Sequence, residues 1–293
     1  MSTAEAQRFL ESETLFAEVD GVRVAYRRFG SGPPMVLLHG WPVSGFTFRR
    51  LLPLLEPHFD CIVPDLPGAG DTPWEGVQDF SIEARSRLAA RFGEVLGLDR
   101  YFLLAHDTGA TLARYVAWWH PERIRALVVM NTEAPHHRPA WIPLYQRTMA
   151  LPGGEAGFRA SLMSRIFTRS RMSFGGCFCD VELVEGDFRE HTIDPLVKSS
   201  RALHGQVLIL RGINWEAVDR LEEIHPQLRV PTLVVWGTDD PYFPMEEGRK
   251  VAAQIPGARL VEIPGTRLLL HEEKPGEIAR AVLDFTEGMR TTP

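Results

Sequence analysis

Cysteine is scarce: Cys61, Cys177 and Cys179 are the only three. An odd count gives no disulfide framework, and Cys177 and Cys179, one residue apart with no second pair, make a poor zinc site. We therefore expect no metal, with the thiols used for packing. No run of 18 apolar residues occurs, which excludes a membrane-spanning helix. Lys and Arg number 32 against 38 Asp and Glu, a net charge of −6, and no basic stripe contradicts that balance. Nothing favours nucleic acid or another polyanion. No Gly-x-Gly-x-x-Gly follows the first core strand, so no cofactor is implied. Internal repeats and low-complexity segments are missing as well. The N-terminal MSTAEAQRFLESETLF is polar and acidic, unlike a secretory or transit peptide, and the expectation is a cytoplasmic protein. A small-molecule substrate is the partner left, with the oligomeric state open.

What is present is ordinary globular composition over 293 residues, 44% hydrophobic and 24% charged, enough for one large α/β core with an inserted subdomain. Eight short runs read as strands. FAEV (16–19) and VRVAYRRF (22–29), split by Asp20-Gly21, form a hairpin. MVLL (35–38), CIVPD (61–65), YFLLA (101–105), IRALVVM (124–130), TLVVWG (232–237) and ARLVEI (258–263) follow. Helical patterns separate them. In 81–98, Ser81 caps a helix whose apolar stripe is Ile82, Leu88, Phe92 and Leu96. Further helices follow Asp107 and cover 246–254 and 276–289. This alternation predicts a mainly parallel eight-stranded sheet with helices on both faces. Residues 132–226 break the rhythm with helical stretches such as RALHGQVLILRGI, and read as a helical cap inserted into a core of 1–131 and 227–293. Such a cap covers the strand ends, where α/β sheets place their ligands.

The chemistry concentrates at strand ends. Residues 105–109, Ala-His-Asp-Thr-Gly, have the small-x-nucleophile-x-small form of a sharp strand-to-helix turn, with Asp107 at its apex. The following helix directs its N-terminus at that carboxylate. An ordinary N-cap is the plainer role for such an aspartate. LLHGWP (37–42) offers a loop whose backbone N–H can face an oxyanion, and we pair the N–H of Trp41 with that of Thr108. His39 reads as a structural histidine holding that loop. VVWGTDDPYFP (234–244) puts Asp240 just past a strand end, suited to orienting an imidazole, with Asp239 as its competitor.

Taken in order, HGWP, PDLPGAGDT (64–72), AHDTG and WGTDDPYFP resemble the α/β-hydrolase family from about residue 15 to 288. The aspartate at the elbow is similar to the epoxide hydrolase and haloalkane dehalogenase branch. That resemblance implies an ionised carboxylate attacking an sp³ carbon to form an alkyl ester, which a histidine then hydrolyses through water. The implied histidine precedes a proline by seven residues. In IPGTRLLLHEEKP (263–275) that position is Leu268, preceded by Arg267. His271 lies three residues on, displaced by roughly 4.5 Å if helical, and is the candidate replacement base. His136, His137 and His191 are weaker substitutes. If none serves, the protein is a stalled ester former, a non-hydrolytic catalyst or a binding protein.

Substrate signals point both ways. Epoxide opening in this branch uses two cap tyrosines, and only Tyr145 of five lies in the insertion. Dehalogenases often carry an indole beside the nucleophile, where this chain has Thr108. Trp41 is closer to the epoxide hydrolases. Trp141 can supply an indole from the cap or simply pack it, and His136-His137-Arg138 is a polar contact or a basic turn.

Overall fold

The computed structural model describes residues 3–75 and 78–290. Its strands are β1 (Leu15–Val19), β2 (Val22–Phe29), β3 (Pro34–Leu38), β4 (Asp60–Pro64), β5 (Tyr101–His106), β6 (Ile124–Met130), β7 (Thr232–Gly237) and β8 (Arg259–Ile263). Together they form one sheet in the order β1-β2-β4-β3-β5-β6-β7-β8. The first two strands pair antiparallel and β2 runs antiparallel to β4, while every pairing from β4 to β8 is parallel. Asp20 and Gly21 both take positive φ, +48° and +83°, as a two-residue turn between right-twisting strands requires.

The strands in the middle of the sheet are buried on both faces, which explains their unbroken apolar runs. Successive side chains point to opposite sides. Val36, Leu38, Leu103, Ala105 and Val129 pack beneath the helices Ile82–Val95 and Thr108–Trp119. Met35, Leu37, Phe102, Leu104 and Val128 face the other way, toward Leu52–Leu55 and Pro275–Thr286. Ser81 caps its helix by accepting from Ala84 N–H, as expected. The expected stripe is only partly buried: Ile82 and Phe92 are inside, Leu88 and Leu96 half-buried, and Arg85, Ser86, Ala89 and Ala90 fill the rest of that face. The helix lies flat between the sheet and a neighbouring helix, so its buried arc is wider than one row of residues.

Because β3 lies between β4 and β5, the chain leaves it leftward to β4 and returns past it to β5. The crevice at that reversal, beyond the carboxyl ends of β3 and β5, is where an open α/β sheet holds ligand. Between Met130 and Thr232 every regular element is helical, in pieces from Trp141–Met149 to His225–Gln227. Among the described residues no helix is long and apolar enough to cross a membrane. Cys61 and Cys177 are buried and Cys179 is exposed, all three free thiols.

Candidate active site

At the end of β5 the backbone turns through Asp107 with φ +52° and ψ −134°, a conformation a non-glycine residue adopts only when its surroundings impose it. Those surroundings are on both sides of the peptide. Asp107 N–H donates to the carbonyls of Met130 (3.1 Å) and Asn131 (3.0 Å), and its own carbonyl accepts from Ala110 N–H and Thr132 Oγ1, each at 2.8 Å. The helix Thr108–Trp119 then starts so close to β3 that a Cβ on Gly109 would lie 2.4 Å from the His39 carbonyl oxygen. A Cβ on Gly40 would lie 2.4 Å from both Cβ and Oδ2 of Asp107. Gly40→Ala is therefore expected to cost ~1–3 kcal/mol in a thermal melt. Gly157→Ala, whose new Cβ meets nothing within 4 Å, is the control and should cost nothing.

The loop after β3 brings Trp41 N–H to Asp107 Oδ2 at 2.7 Å, and Thr108 N–H binds the same carboxylate. Both expected donors thus converge on Asp107. His39 is wholly buried and holds the loop: its Nδ1 donates to Gly40 carbonyl (2.8 Å) and its Nε2 accepts from Leu66 N–H (3.0 Å). Burial pushes its pKa down to about 4, so it stays neutral.

Asp240 sits inside the turn after β7 and Asp239 outside it, exposed. The Asp240 carboxylate accepts from Asn131 Nδ2 and from the N–H groups of Tyr242 (2.8 Å) and Phe243. Burial nevertheless pushes it up to about 7. Burial, then the nearby Glu133 charge, raises Asp107 well above the usual carboxylate range, against the two N–H donors.

Above Asp107 lies an apolar pocket between the sheet and the helical insertion, walled by Tyr145, Phe158, Trp215, Tyr242, Phe243 and Leu268 among others. Leu268 is 8% exposed and shares this wall with Asp107. His271 does not. It is fully buried, its Nε2 is 2.8 Å from Thr47 Oγ1, and its ring packs on His106 and Phe48 at 4.5 and 5.3 Å. The reason is local: residues 264–269 form no helix, and the single turn Leu270–Glu273 begins only after them. The one-turn displacement along a shared face therefore has no helix to act through, and His271 lies under the sheet's other face.

The insertion also differs from the sequence reading in phase. Trp141 opens its helix and packs against the core without lining the pocket, which is reached by Ile142 and Tyr145. Tyr145 spends its hydroxyl proton on the Met172 carbonyl. His136 bonds Glu222 at the surface, His137 bonds the Tyr242 carbonyl, and His191 packs on Phe46, all outside the pocket lining. Among the described residues, the possible ligand cluster Asp187, Glu190 and His191 contributes nothing to the pocket lining and includes neither Cys177 nor Cys179.

The pocket lining also includes Tyr242 and Glu133, which the sequence does not single out. Tyr242, in the stretch read only for Asp240, directs its hydroxyl at the Ser173 carbonyl (3.0 Å). Glu133 lies three residues beyond β6 and contributes to the pocket beside Asp107 and Thr108. Its Oε1 accepts from Thr108 Oγ1 at 2.8 Å and its Oε2 from Thr111 Oγ1 at 2.7 Å. An acidic residue just past a buried parallel strand was the available signal.

A family model described as the alpha/beta hydrolase fold matches residues 33–275. Haloalkane dehalogenase 2 of Mycobacterium tuberculosis is 28% identical over 268 residues, covering 89% of this chain and 91% of that protein. The soluble epoxide hydrolase of Corynebacterium sp. is 26% identical over 235 residues, 75% of this chain and 79% of its own. The solved structure of epoxide hydrolase CorEH superimposes with a TM-score of 0.78 at 21% identity, over 96% of this chain and all of the other, a likeness of fold. The chain belongs to the α/β-hydrolase family, and its relatives there include a haloalkane dehalogenase and an epoxide hydrolase.

Proposed function

We propose that Asp107 attacks an sp³ carbon of a small, largely apolar electrophile, a haloalkane or an epoxide, and forms a covalent aspartyl ester. One observation carries this reading: a carboxylate at a strained elbow, held by Trp41 N–H at 2.7 Å, faces an apolar pocket. A carboxylate needs no base to attack, only to be ionised and positioned. The N–H donors that hold it in the free protein remain on the ester carbonyl, where charge develops when water attacks.

Leu268 favours a second reading, in which the ester forms and stays. No imidazole lines the pocket among the described residues, and the proton of Tyr145 is committed to a backbone carbonyl. A reduced member of the family would then bind or rearrange its ligand without hydrolysis.

Incubation with 1-bromobutane and with 1,2-epoxyhexane, followed by intact mass and peptide mapping, tests the first step. The expected result is one alkyl group per chain on Asp107. Folded protein that stays unmodified by a broad panel of both classes would sink the assignment. The rate should also rise with pH. The folded-state carboxyl is raised, so at low pH most of it is protonated and inert, and ionisation restores attack as pH climbs through the raised value. Alkylation measured from pH 5 to 9 should increase and then level; a flat profile contradicts the expectation.

A further inference from the structure

We propose that Glu133 is the base that releases the ester, an inference resting on Asp107 as the nucleophile. A group that can only donate, Arg114, sits behind the hydroxyls that face Glu133. Arg114, wholly buried, donates from Nη2 to Thr111 Oγ1 at 2.9 Å. Thr111 Oγ1 donates in turn to its nearest acceptor, Glu133 Oε2, at 2.7 Å. The same Arg114 nitrogen donates to Thr132 Oγ1 (2.9 Å), whose proton goes to the Asp107 carbonyl (2.8 Å). Thr108 Oγ1 stands between the two carboxylates, 3.4 Å from Asp107 Oδ2 and 2.8 Å from Glu133 Oε1, and gives its proton to the nearer.

Glu133 thus accepts at both oxygens. A carboxylate offers about four acceptor positions; Thr111 and Thr132 Oγ1 face Oε2 and Thr108 Oγ1 faces Oε1, which leaves a position on Oε1 for a water from the pocket. Thr108 Oγ1 touches both carboxylates, so a single hydroxyl separates them beside the pocket. The alternatives are engaged elsewhere. Asp240 accepts from Asn131, Tyr242 and Phe243 and lies outside the pocket lining, and His271 is bound to Thr47.

The step balances. Water gives a proton to Glu133 as its oxygen bonds to Asp107 Cγ, and the carbonyl electron pair moves onto the oxygen facing Trp41 and Thr108 N–H. Collapse of that intermediate breaks the Cγ–O(alkyl) bond. The departing alkoxide takes the proton from Glu133, leaving an alcohol and the Asp107 carboxyl, whose proton passes to solvent.

The experiment separates the two half-reactions. Protein alkylated with 1-bromobutane is freed of reagent, and loss of the adduct is followed by intact mass for the unmodified chain, Glu133→Gln and Glu133→Asp. Removing the negative neighbour of the nucleophile should leave Glu133→Gln alkylating at least as fast at neutral pH, while its adduct decays ~100-fold more slowly. Glu133→Asp should recover part of the release. Decay in the unmodified chain should fall at low pH, and in Glu133→Gln lose that dependence. Decay in Glu133→Gln at the unmodified rate would overturn the proposal, as would equal slowing of formation and decay with a lowered melting temperature, the mark of a packing role. An adduct that never decays in the unmodified chain also overturns it, while leaving Asp107 as nucleophile. No adduct at all removes both readings.

Discussion

Leu268→His is expected to turn a slowly released adduct into sustained turnover, with ester release faster by ~10²–10⁴, the usual worth of a positioned general base. The resemblance to the dehalogenase and epoxide hydrolase branch places a histidine at this position. Leu268 already stands in the pocket wall with Asp107, so the new ring enters the same space. Leucine and histidine differ little in volume, and the cost lies in burying a polar ring, which Asp240 can offset by accepting from it. Asp240 is pushed up to about 7 in the leucine protein, and an imidazolium beside it would favour its ionised form. Bromide release from 1-bromobutane under multiple turnover is the measurement. Adduct without bromide turnover in a folded Leu268→His protein would mean that Asp240 and position 268 do not form a working pair. Adding Glu133→Gln to Leu268→His should then cost little in release, because the imidazole has taken over that work.

Asp107→Ala should abolish adduct formation, a loss of at least ~10⁴-fold for a covalent step whose nucleophile is gone. The same change should raise stability. Asp107 pairs a positive φ with a buried carboxylate beside Glu133, and its pKa is raised, so ionising it opposes folding. For a carboxyl raised above its unfolded value that penalty is absent at low pH and grows as pH rises through the shift. The gain on removal should therefore be larger at pH 8 than at pH 5. Asp107→Gly, which also relieves the backbone, should gain ~1–3 kcal/mol more in favourable cases of such strain. Thermal melts at both pH values check this; a loss of stability in both variants would show that the hydrogen bonds of Asp107 outweigh its burial.

The eight strands could be read from sequence because a parallel sheet buried on both faces needs short, unbroken apolar runs, and Met35–Leu38 and Leu103–Ala105 have little else to be. The approach of Asp107, Trp41 and Thr108 was legible for a different reason. Each lies within a few residues of a strand end, and small residues such as Gly40 and Gly109 mark where backbones cross. The failures have equally particular causes. The position of His271 depended on where a helix begins, and the turn at 264–269 set that start two residues beyond Leu268. Trp141 and Tyr145 sit on one short helix, and a single pattern cannot tell which of its sides faces a pocket built by other segments. Glu133 was hidden because its environment is assembled from Thr108, Thr111 and Arg114, more than eighteen residues away in the chain.

Trp41 is held at both ends. Its main-chain N–H binds the Asp107 carboxylate at 2.7 Å, and its indole Nε1 donates to the Gln206 carbonyl of the helical insertion at 2.8 Å. Any displacement of the helix Ser200–Arg211 large enough to admit a bulky molecule must either break the indole contact or drag the loop with it. In the second case the donor leaves the carboxylate while the chamber is open and returns as it shuts. Access and reactivity would then be timed by one tryptophan, and the protein would be least reactive at the moment its interior is most accessible to water.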